Sequence, residues 1–569
     1  MYFTLAVSAA SPGRCAELAD RARVADPAVM PIPGPAVVVW RSPDGRAALL
    51  RWGGQSADSP GAAEAADDGP AGDRAAGAYP AASMAGTIWA ESPSPGSGRA
   101  PVVARTSVTR VDPVYVAEVP GAVIVADRAM WAAWTASRLD TRDPLHAIAL
   151  LNPGFPLGGA TPFAGVSALP GSTTAHLLNG ALTRLPSPDG AVNAGGAFKA
   201  DLPGGARAVA EGLVAAVAPL AGATEPVELS LTGGKDSRLI AAALVKAGVP
   251  VVGRTHGFAD HPDVVVAAEI ARRLEIEHLV KTPAAPGQQV DVLGRIRATV
   301  LVADGMLSAF ENVGRPDPAA SAVVTAGGHG GELLRGGYAE TAAGRPGAGT
   351  GLRAALAPAK RAARAAELLR RLTSKHLGLV RRGPAAAYVA SLAPWTAALA
   401  RHPLPALDDF YLVNRAGRWS AAARQAYLIR ERLVQPLFDD RVVLAARAVP
   451  LADRISGGLS AAVLAELSPA LVDVPLAGKP PKPAAGAAPA PFDWRRQYGG
   501  AVASLLRDYT LDLGGPAGLF DVVSRSSAEQ VLTPQQTDPA TVWALATLAC
   551  LLSGDYRHAR NPAQLVTVT

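Results

Sequence analysis

Two stretches hold residue types that could bind and activate an anionic group. Residues 229–238 read LSLTGGKDSR: two adjacent glycines follow an apolar run, and Lys235, Asp236 and Ser237 come directly after them. Glycines let a ligand approach the backbone closely, and N–H groups at a helix start favour an anion. Asp236 does not attract phosphate by itself, but it would with a Mg²⁺ between it and a polyphosphate. The plain alternative is a tight strand-to-helix turn with Asp236 near the N-cap. Residues 325–338 read TAGGHGGELLRGGY and again follow an apolar run. Repeated glycine around His329 and Glu332 makes either a backbone-lined pocket with one base and one acid, or a loose loop.

The surrounding pattern places both stretches. The phosphate loop GxxxxGK[ST] and the dinucleotide fingerprint are absent, which excludes those nucleotide-binding classes. From about residue 206 the text alternates. ARAVAEGLVAAVAPLA has helical spacing, VELSLTGG is a strand running into a glycine turn, and DSRLIAAALVKAG is a helix with Gly248 at its C-cap. The strand VPVVGRTHG, the helix DVVVAAEIARRLEI and the strand EHLVKT follow. This β-α-β-α-β order predicts a doubly wound parallel sheet with helices on both faces and ligands at the carboxyl ends of its strands. LTGGKDS lies at such an end.

At 569 residues the chain exceeds one ordinary core, and we divide it into residues 1–205 and 206–569. The first part reads as short strands between turns, such as VVVWRS, AALLRW, PVYVAEV and AVIVADR. Residues 56–100 are rich in Gly, Pro, Ala and Ser and are expected to form a mobile surface loop. The net charge of +6 permits an anionic ligand, yet the basic residues are dispersed and no RNA-binding signature is present, so no nucleic-acid partner is expected. The densest basic run, residues 360–382, has helical apolar spacing; it is read as a solvated helix face, with a polyanion- or peptide-docking face as the alternative. ATVWALATLACLLSG is too short to span a membrane and reads as a core helix. Two cysteines, Cys15 and Cys550, make neither a disulfide framework nor a zinc site, so a cytoplasmic location is expected.

Taken together, the two glycine motifs make residues 226–451 resemble the asparagine synthetase-like ATP pyrophosphatases. In that family SGGxDS binds pyrophosphate and a later GxGxDE-type loop supplies a metal-binding acid. The TxG…DVxxAxxIAxxLxxxH pattern over residues 255–278 agrees, as does PLFDDRVV from Pro436, similar to the family's PFLD segment. The resemblance implies ATP and Mg²⁺ as cofactors. Thr232 takes the place of the first Ser of SGGxDS, Asp236 that of the magnesium-binding Asp, and Glu332 that of the second metal acid, where Asp is usual. Ser230, Gly233, Gly234, Lys235, Ser237, Thr255, Gly328 and Gly330 complete the expected nucleotide site. His329 falls where asparagine synthetases have Glu and β-lactam synthetases have Tyr; its near-neutral pKa suits a base. The family also places a Lys beyond the PFLD segment to steady the acyl-adenylate. Lys479 and Lys482 in AGKPPKP are the candidates, against a plain Pro-rich polar loop. Glu431 could orient a base, although it is offset from the family's spacing.

TPFAGVSALPG resembles the end of the glutamine-amidotransferase domain of these enzymes, which implies an Ntn-type α+β sandwich over the first 205 residues. Tyr2 stands where that domain needs Cys, and Cys15 is misplaced to replace it, so the fold is expected without its chemistry. TGGKDSR and GHGGE are most similar to the lasso-peptide macrolactam synthetases. That likeness implies adenylation of an Asp or Glu side chain of a precursor peptide and ring closure by the peptide's N-terminal amine. A leader-recognition protein and a leader peptidase are then the expected partners, with no membrane involved. An ammonia-using asparagine synthetase, a small-molecule lactam synthetase and a non-catalytic ATP-binding scaffold are the alternatives.

Overall fold

The computed structural model describes residues 3–24, 37–52, 88–90, 101–186, 199–282, 289–313, 323–343, 358–429, 432–478, 495–496, 500–533, 538–559 and 565–567. Its first part contains ten strands: β1 (Phe3–Ala9), β2 (Val37–Arg41), β3 (Ala47–Trp52), β4 (Ile88–Ala90), β5 (Val102–Arg105), β6 (Tyr115–Val119), β7 (Ala122–Ala126), β8 (Val166–Ala168), β9 (Thr173–Leu178) and β10 (Ala181–Pro186). They form a six-stranded sheet, β2-β3-β1-β7-β6-β8, and a four-stranded sheet, β10-β9-β5-β4, both antiparallel. The β9–β10 turn has Asn179 and Gly180 both at positive φ, the pairing a two-residue hairpin requires.

Strand alternation sets the layers. Ala6, Val116 and Val125 of the large sheet share a core with Val102, Ala175 and Leu177 of the small one, so the two sheets pack face to face. Phe3, Leu5, Val7 and Ala9 point the other way, toward Cys15, Leu18 and Ala22 of the Pro12–Arg23 helix. The first part is therefore a two-sheet sandwich with helices on its outer face. Tyr2 lies outside the described residues. Within the segment expected to be a loop, β4 is a strand paired with β5, and its Ile88 is fully buried. Three residues are too few to show periodicity in the text. The rest of residues 56–100 lies outside the described residues.

The outer core is shared with the second part of the chain. It also takes in Val292, Ile296 and Val300 of the Val292–Val302 helix, and Trp543, Leu545 and Leu548 of the Pro539–Ser553 helix. That last helix, the expected core helix, is buried from Thr541 to Leu551, Cys550 included. No described helix is long and apolar enough to cross a membrane. A division near residue 205 thus separates two sheet systems, each with a core of its own, while the outer core is shared. The seam also holds a buried ion pair between Arg128 and Asp304.

The second part has β11 (Val227–Ser230), β12 (Val251–His256), β13 (Glu277–Lys281), β14 (Gln289–Asp291), β15 (Val324–Ala326), β16 (Arg432–Val434) and β17 (Leu565–Thr567). Five form a parallel sheet in the order β13-β12-β11-β15-β16. The order reverses at β11, so the crevice beyond the carboxyl ends of β11 and β15 is the switch point where such sheets bind ligands. One face packs on the Leu202–Val217, Lys235–Lys246 and Gly458–Leu467 helices. The other face departs from the expectation of two complete helical layers. Over β11 and β12 it carries the Arg254–Glu228 ion pair, whose side chains are 41% and 26% exposed. The basic run forms the Pro358–Ser374 helix, with Ala365 and Leu369 buried and Glu367 paired to Arg370 and Arg371 on the outside. That arrangement agrees with a solvated face.

A π-helix, Tyr411–Ser420, joins the two parts. Such wide turns recur at functional sites. Asn414 Oδ1 accepts the Gly158 N–H at 2.8 Å, and Arg418 donates to the Ala160 carbonyl. Arg110 donates to the carbonyls of Gly158 (2.6 Å) and Val413 (3.0 Å). A side chain at Gly417 would meet the Thr109 carbonyl and Arg110 Nε at 2.8 Å, so glycine permits this close contact. Residues 414 and 418 therefore face the sandwich, while 411, 415 and 419 face the crevice.

Candidate active site

Both glycine motifs end at the switch point. The first leaves β11 at Ser230, passes through Thr232 and Gly233, and enters the Lys235–Lys246 helix at Gly234. Gly233 is required by crowding: a Cβ there would lie 2.5 Å from that of Ala477 and 2.9 Å from that of Val266. Gly234 is an N-cap without a side-chain cap, which leaves first-turn N–H groups for a ligand. The loop is stapled by hydroxyls. Ser237 Oγ accepts the Thr232 N–H at 3.1 Å and donates to the Thr232 carbonyl at 3.0 Å, while Thr232 Oγ1 accepts from Gly234 at 3.2 Å. Asp263 accepts the Gly233 N–H, and Arg238 donates to the carbonyls of Gly233, Gly234, Val474 and Pro475.

Two of the residues expected at the nucleotide make hydrogen bonds within the protein. Ser237 is buried and committed to the loop. Thr255, also buried, donates to the Leu231 carbonyl at 2.8 Å and bonds His278 Nε2 at 2.8 Å. Both shape the turn from behind. The side chains of Thr232, Lys235 and Ser230 are exposed.

The second motif leaves β15 and lies against the first. A Cβ on Gly328 would meet Ser237 N at 2.8 Å, and one on Gly331 would overlap the Asp236 carboxylate. Gly330 has φ +98° and faces the Phe438 ring, which allows only glycine without strain. Gly331→Ala is therefore expected to displace Asp236. Nucleotide-dependent turnover should fall at least ~10²-fold, the usual cost of misplacing a reacting group by about 1 Å, with the melting temperature nearly unchanged. Wild-type turnover in Gly331→Ala would show that the two loops are not in register.

Asp236 and Glu332 are close enough across this contact to act on each other electrostatically. Burial raises the Asp236 pKa, Arg335 pulls it back, and the neighbouring Glu332 charge adds to the rise. Arg335, not singled out from the sequence, donates to both Asp236 oxygens and reaches Glu340 at 3.2 Å. Glu332 accepts a hydrogen bond from Tyr411 Oη at 3.0 Å, and burial pushes the Tyr411 pKa up. Arg335 stands inside the quoted GELLRGGY, where an adjacent acid-and-base pattern hinted at it; Tyr411 had no local signal. His329 remains reachable by solvent although protein surrounds most of the ring. That burial lowers its pKa, Glu332 and Asp236 oppose the shift, and Arg415 adds to it. The imidazole is therefore neutral at neutral pH and able to accept a proton. Lys479, Lys482 and Glu431 lie outside the described residues.

His329, Glu311, Trp419 and Gln435 line a cavity of about 40 Å³. A wider concavity of about 440 Å³ lies on the sandwich beside Glu118, Arg138 and Asp143, but none of the glycine-turn residues lines it. Chemistry favours the smaller one.

A crevice at the switch point of a parallel sheet, with bare first-turn N–H groups and two carboxylates, is the form that nucleotide-binding α/β proteins take. A family model described as asparagine synthase matches residues 208–548, more than half of the chain, and the protein belongs to that family. Members are ATP-dependent ligases that form amide bonds and bind ATP, usually with Mg²⁺. Comparison with curated proteins gives no match. Among the described residues no group of three or more His, Cys, Asp or Glu side chains could hold a metal ion alone. Asp236 and Glu332 do fit a magnesium ion carried by a polyphosphate, which needs one or two protein carboxylates.

Proposed function

We propose that the protein is an ATP-dependent macrolactam synthetase of the lasso-peptide type. It adenylates an Asp or Glu side chain of a precursor peptide, then joins that acyl group to the peptide's N-terminal amine, releasing PPi and AMP. The observation that carries this reading is the state of the two cysteines. Cys15 and Cys550 are both buried, and burial raises their pKa values to about 11 and about 12. Such thiols are poor nucleophiles, so neither suits glutamine hydrolysis, which supports an amine carried by the substrate over one released from glutamine.

In this reading the bare N–H groups after Gly234 would receive phosphate oxygens, and Asp236 and Glu332 would hold magnesium, which would neutralise phosphate charge. Neutral His329 takes the amine's proton. The sandwich and the π-helix wall position a flexible peptide so that amine and acyl group meet. A leader-recognition protein and a leader peptidase would supply the free N-terminus in the cytoplasm.

The test is AMP and PPi release from ATP·Mg together with product mass. The substrates are a free-amine peptide bearing one Asp or Glu and, separately, aspartate with ammonia. Peptide-dependent AMP with loss of one water from the peptide is the expected result. His329→Gln should slow ring closure about 10²- to 10⁴-fold while sparing peptide-dependent ATP–PPi exchange. In wild type, closure should weaken as pH falls through the lowered His329 pKa. AMP formed only with aspartate and ammonia would replace this reading by asparagine synthesis. ATP binding with no AMP from any substrate would point to a scaffold.

A further inference from the structure

We propose that Arg415 is the cation that docks the carboxylate of the acyl substrate, an assignment that rests on the amide-forming reading above. Arg415 projects from the crevice-facing row of the π-helix, between Tyr411, which holds Glu332, and Trp419, which lines the cavity with His329. Its guanidinium lies 3.5 Å from the centroid of the Trp419 ring, with the Phe155 ring 5.9 Å away. Stacking fixes the plane of the group and leaves its edge N–H groups to bind a ligand.

Charge and hydrogen bonding together single this residue out: Arg110, Arg238 and Arg418 also lack a carboxylate partner, but they donate to backbone carbonyls, whereas Arg415 makes no such bond among the described residues. Arg335 is paired with Asp236 and Glu340, Arg424 with Asp112, Arg447 with Asp408 and Asp409, and Arg454 with Asp408. Arg415 has no carboxylate partner among the described residues, although it is only half exposed to water. An acyl substrate must bring a negative charge into a crevice that already holds Asp236 and Glu332. With Arg335 occupied, an unpaired guanidinium on the opposite wall offsets that repulsion, and its planar fork matches a carboxylate. Arg415 acts electrostatically on His329, Tyr338 and Tyr411, so its charge reaches the reacting centre.

The docked carboxylate oxygen attacks the α-phosphorus of ATP, the bond from that phosphorus to the β-bridging oxygen breaks, and pyrophosphate leaves. The amine then attacks the acyl carbon, the acyl–oxygen bond breaks, AMP departs with that oxygen, and the amine's proton passes to His329.

The probes are a synthetic free-amine peptide with one internal glutamate, its glutamine counterpart, aspartate and asparagine. Binding to wild type, Arg415→Lys and Arg415→Gln is measured calorimetrically, with Mg·ATP affinity as the check on folding. Wild type should prefer acid to amide by about 10- to 100-fold, the worth of a charge-assisted hydrogen-bonded pair. Arg415→Gln should lose that preference and raise the acyl substrate's KM by a similar factor, and Arg415→Lys should keep part of it. If Arg415→Gln still discriminates acid from amide, or if wild type never does, the inference is overturned. The aspartate and asparagine pair keeps the two proposals apart: AMP from aspartate with ammonia removes the peptide reading, while loss of aspartate preference in Arg415→Gln would still support the docking role.

Discussion

Asp236→Asn is expected to lower substrate-dependent AMP and PPi release by about three orders of magnitude. That factor corresponds to ~4 kcal/mol, within the several kcal/mol a metal clamp contributes to a phosphoryl centre. The substitution keeps the shape of the turn, because the loop is held by Ser237, Thr232, Asp263 and Arg238 and not by Asp236. It removes the negative charge that can hold a cation and also the partner of Arg335. The pH profile sharpens the test. Burial raises the Asp236 pKa, so adenylation should fall as pH drops through that raised value, where the carboxyl becomes protonated and cannot hold a cation. Arg335 opposes the rise, so Arg335→Met should move this acid limb to higher pH. Quenched-flow measurement of PPi across the acid limb of the pH profile reads both effects. Near-normal PPi release by Asp236→Asn would remove this carboxylate from the chemistry.

Asp304→Ala should have the largest effect on stability. Arg128 and Asp304 are 1% and 0% exposed, and Arg128 also donates to the Leu301 carbonyl at 2.6 Å. Asp304 Oδ2 accepts the Met130 N–H at 3.3 Å. Asp304 is the carboxylate that pairs with Arg128, while burial pushes the pKa of the neighbouring Asp127 up. Deleting one partner of a buried pair costs ~3–5 kcal/mol, because the other is left charged in the interior. Against a total of ~5–15 kcal/mol, that is enough to lose much of the folded protein near 37 °C. Replacing both members, as in Arg128→Met with Asp304→Leu, should restore most of the stability, since apolar pairs of similar volume are often neutral or better. Chemical denaturation of the single and double variants decides it. Equal destabilisation in both would assign the cost to lost packing and not to an unpaired charge.

The six-stranded sheet covers apolar helices from the second part, and Arg110 and Gly158 bond the π-helix whose other face presents Tyr411, Arg415 and Trp419 to the crevice. The sandwich thus serves as structural support for one wall of the site.

Local chemistry in the sequence determined a good deal. The glycine turn before the Lys235–Lys246 helix, the second turn around His329 and Glu332, the β-α-β-α-β order and the buried Pro539–Ser553 helix are all legible, because periodicity and turn residues act over a few positions. The bonds that Ser237 and Thr255 make within the protein were not legible, since spacing does not reveal which way a hydroxyl turns. Tertiary structure alone decided that Arg335 meets Asp236, 99 residues away, and that Tyr411 meets Glu332 across 79. It also set the shared core, in which strands from the first 130 residues pack on helices near residues 300 and 545. Such pairings depend on how layers stack, and they leave no repeat or spacing in the chain to read. The π-helix is the same kind of case: no local signal marks its wide turn, and only the fold brings Gly417 against Thr109 and Arg110.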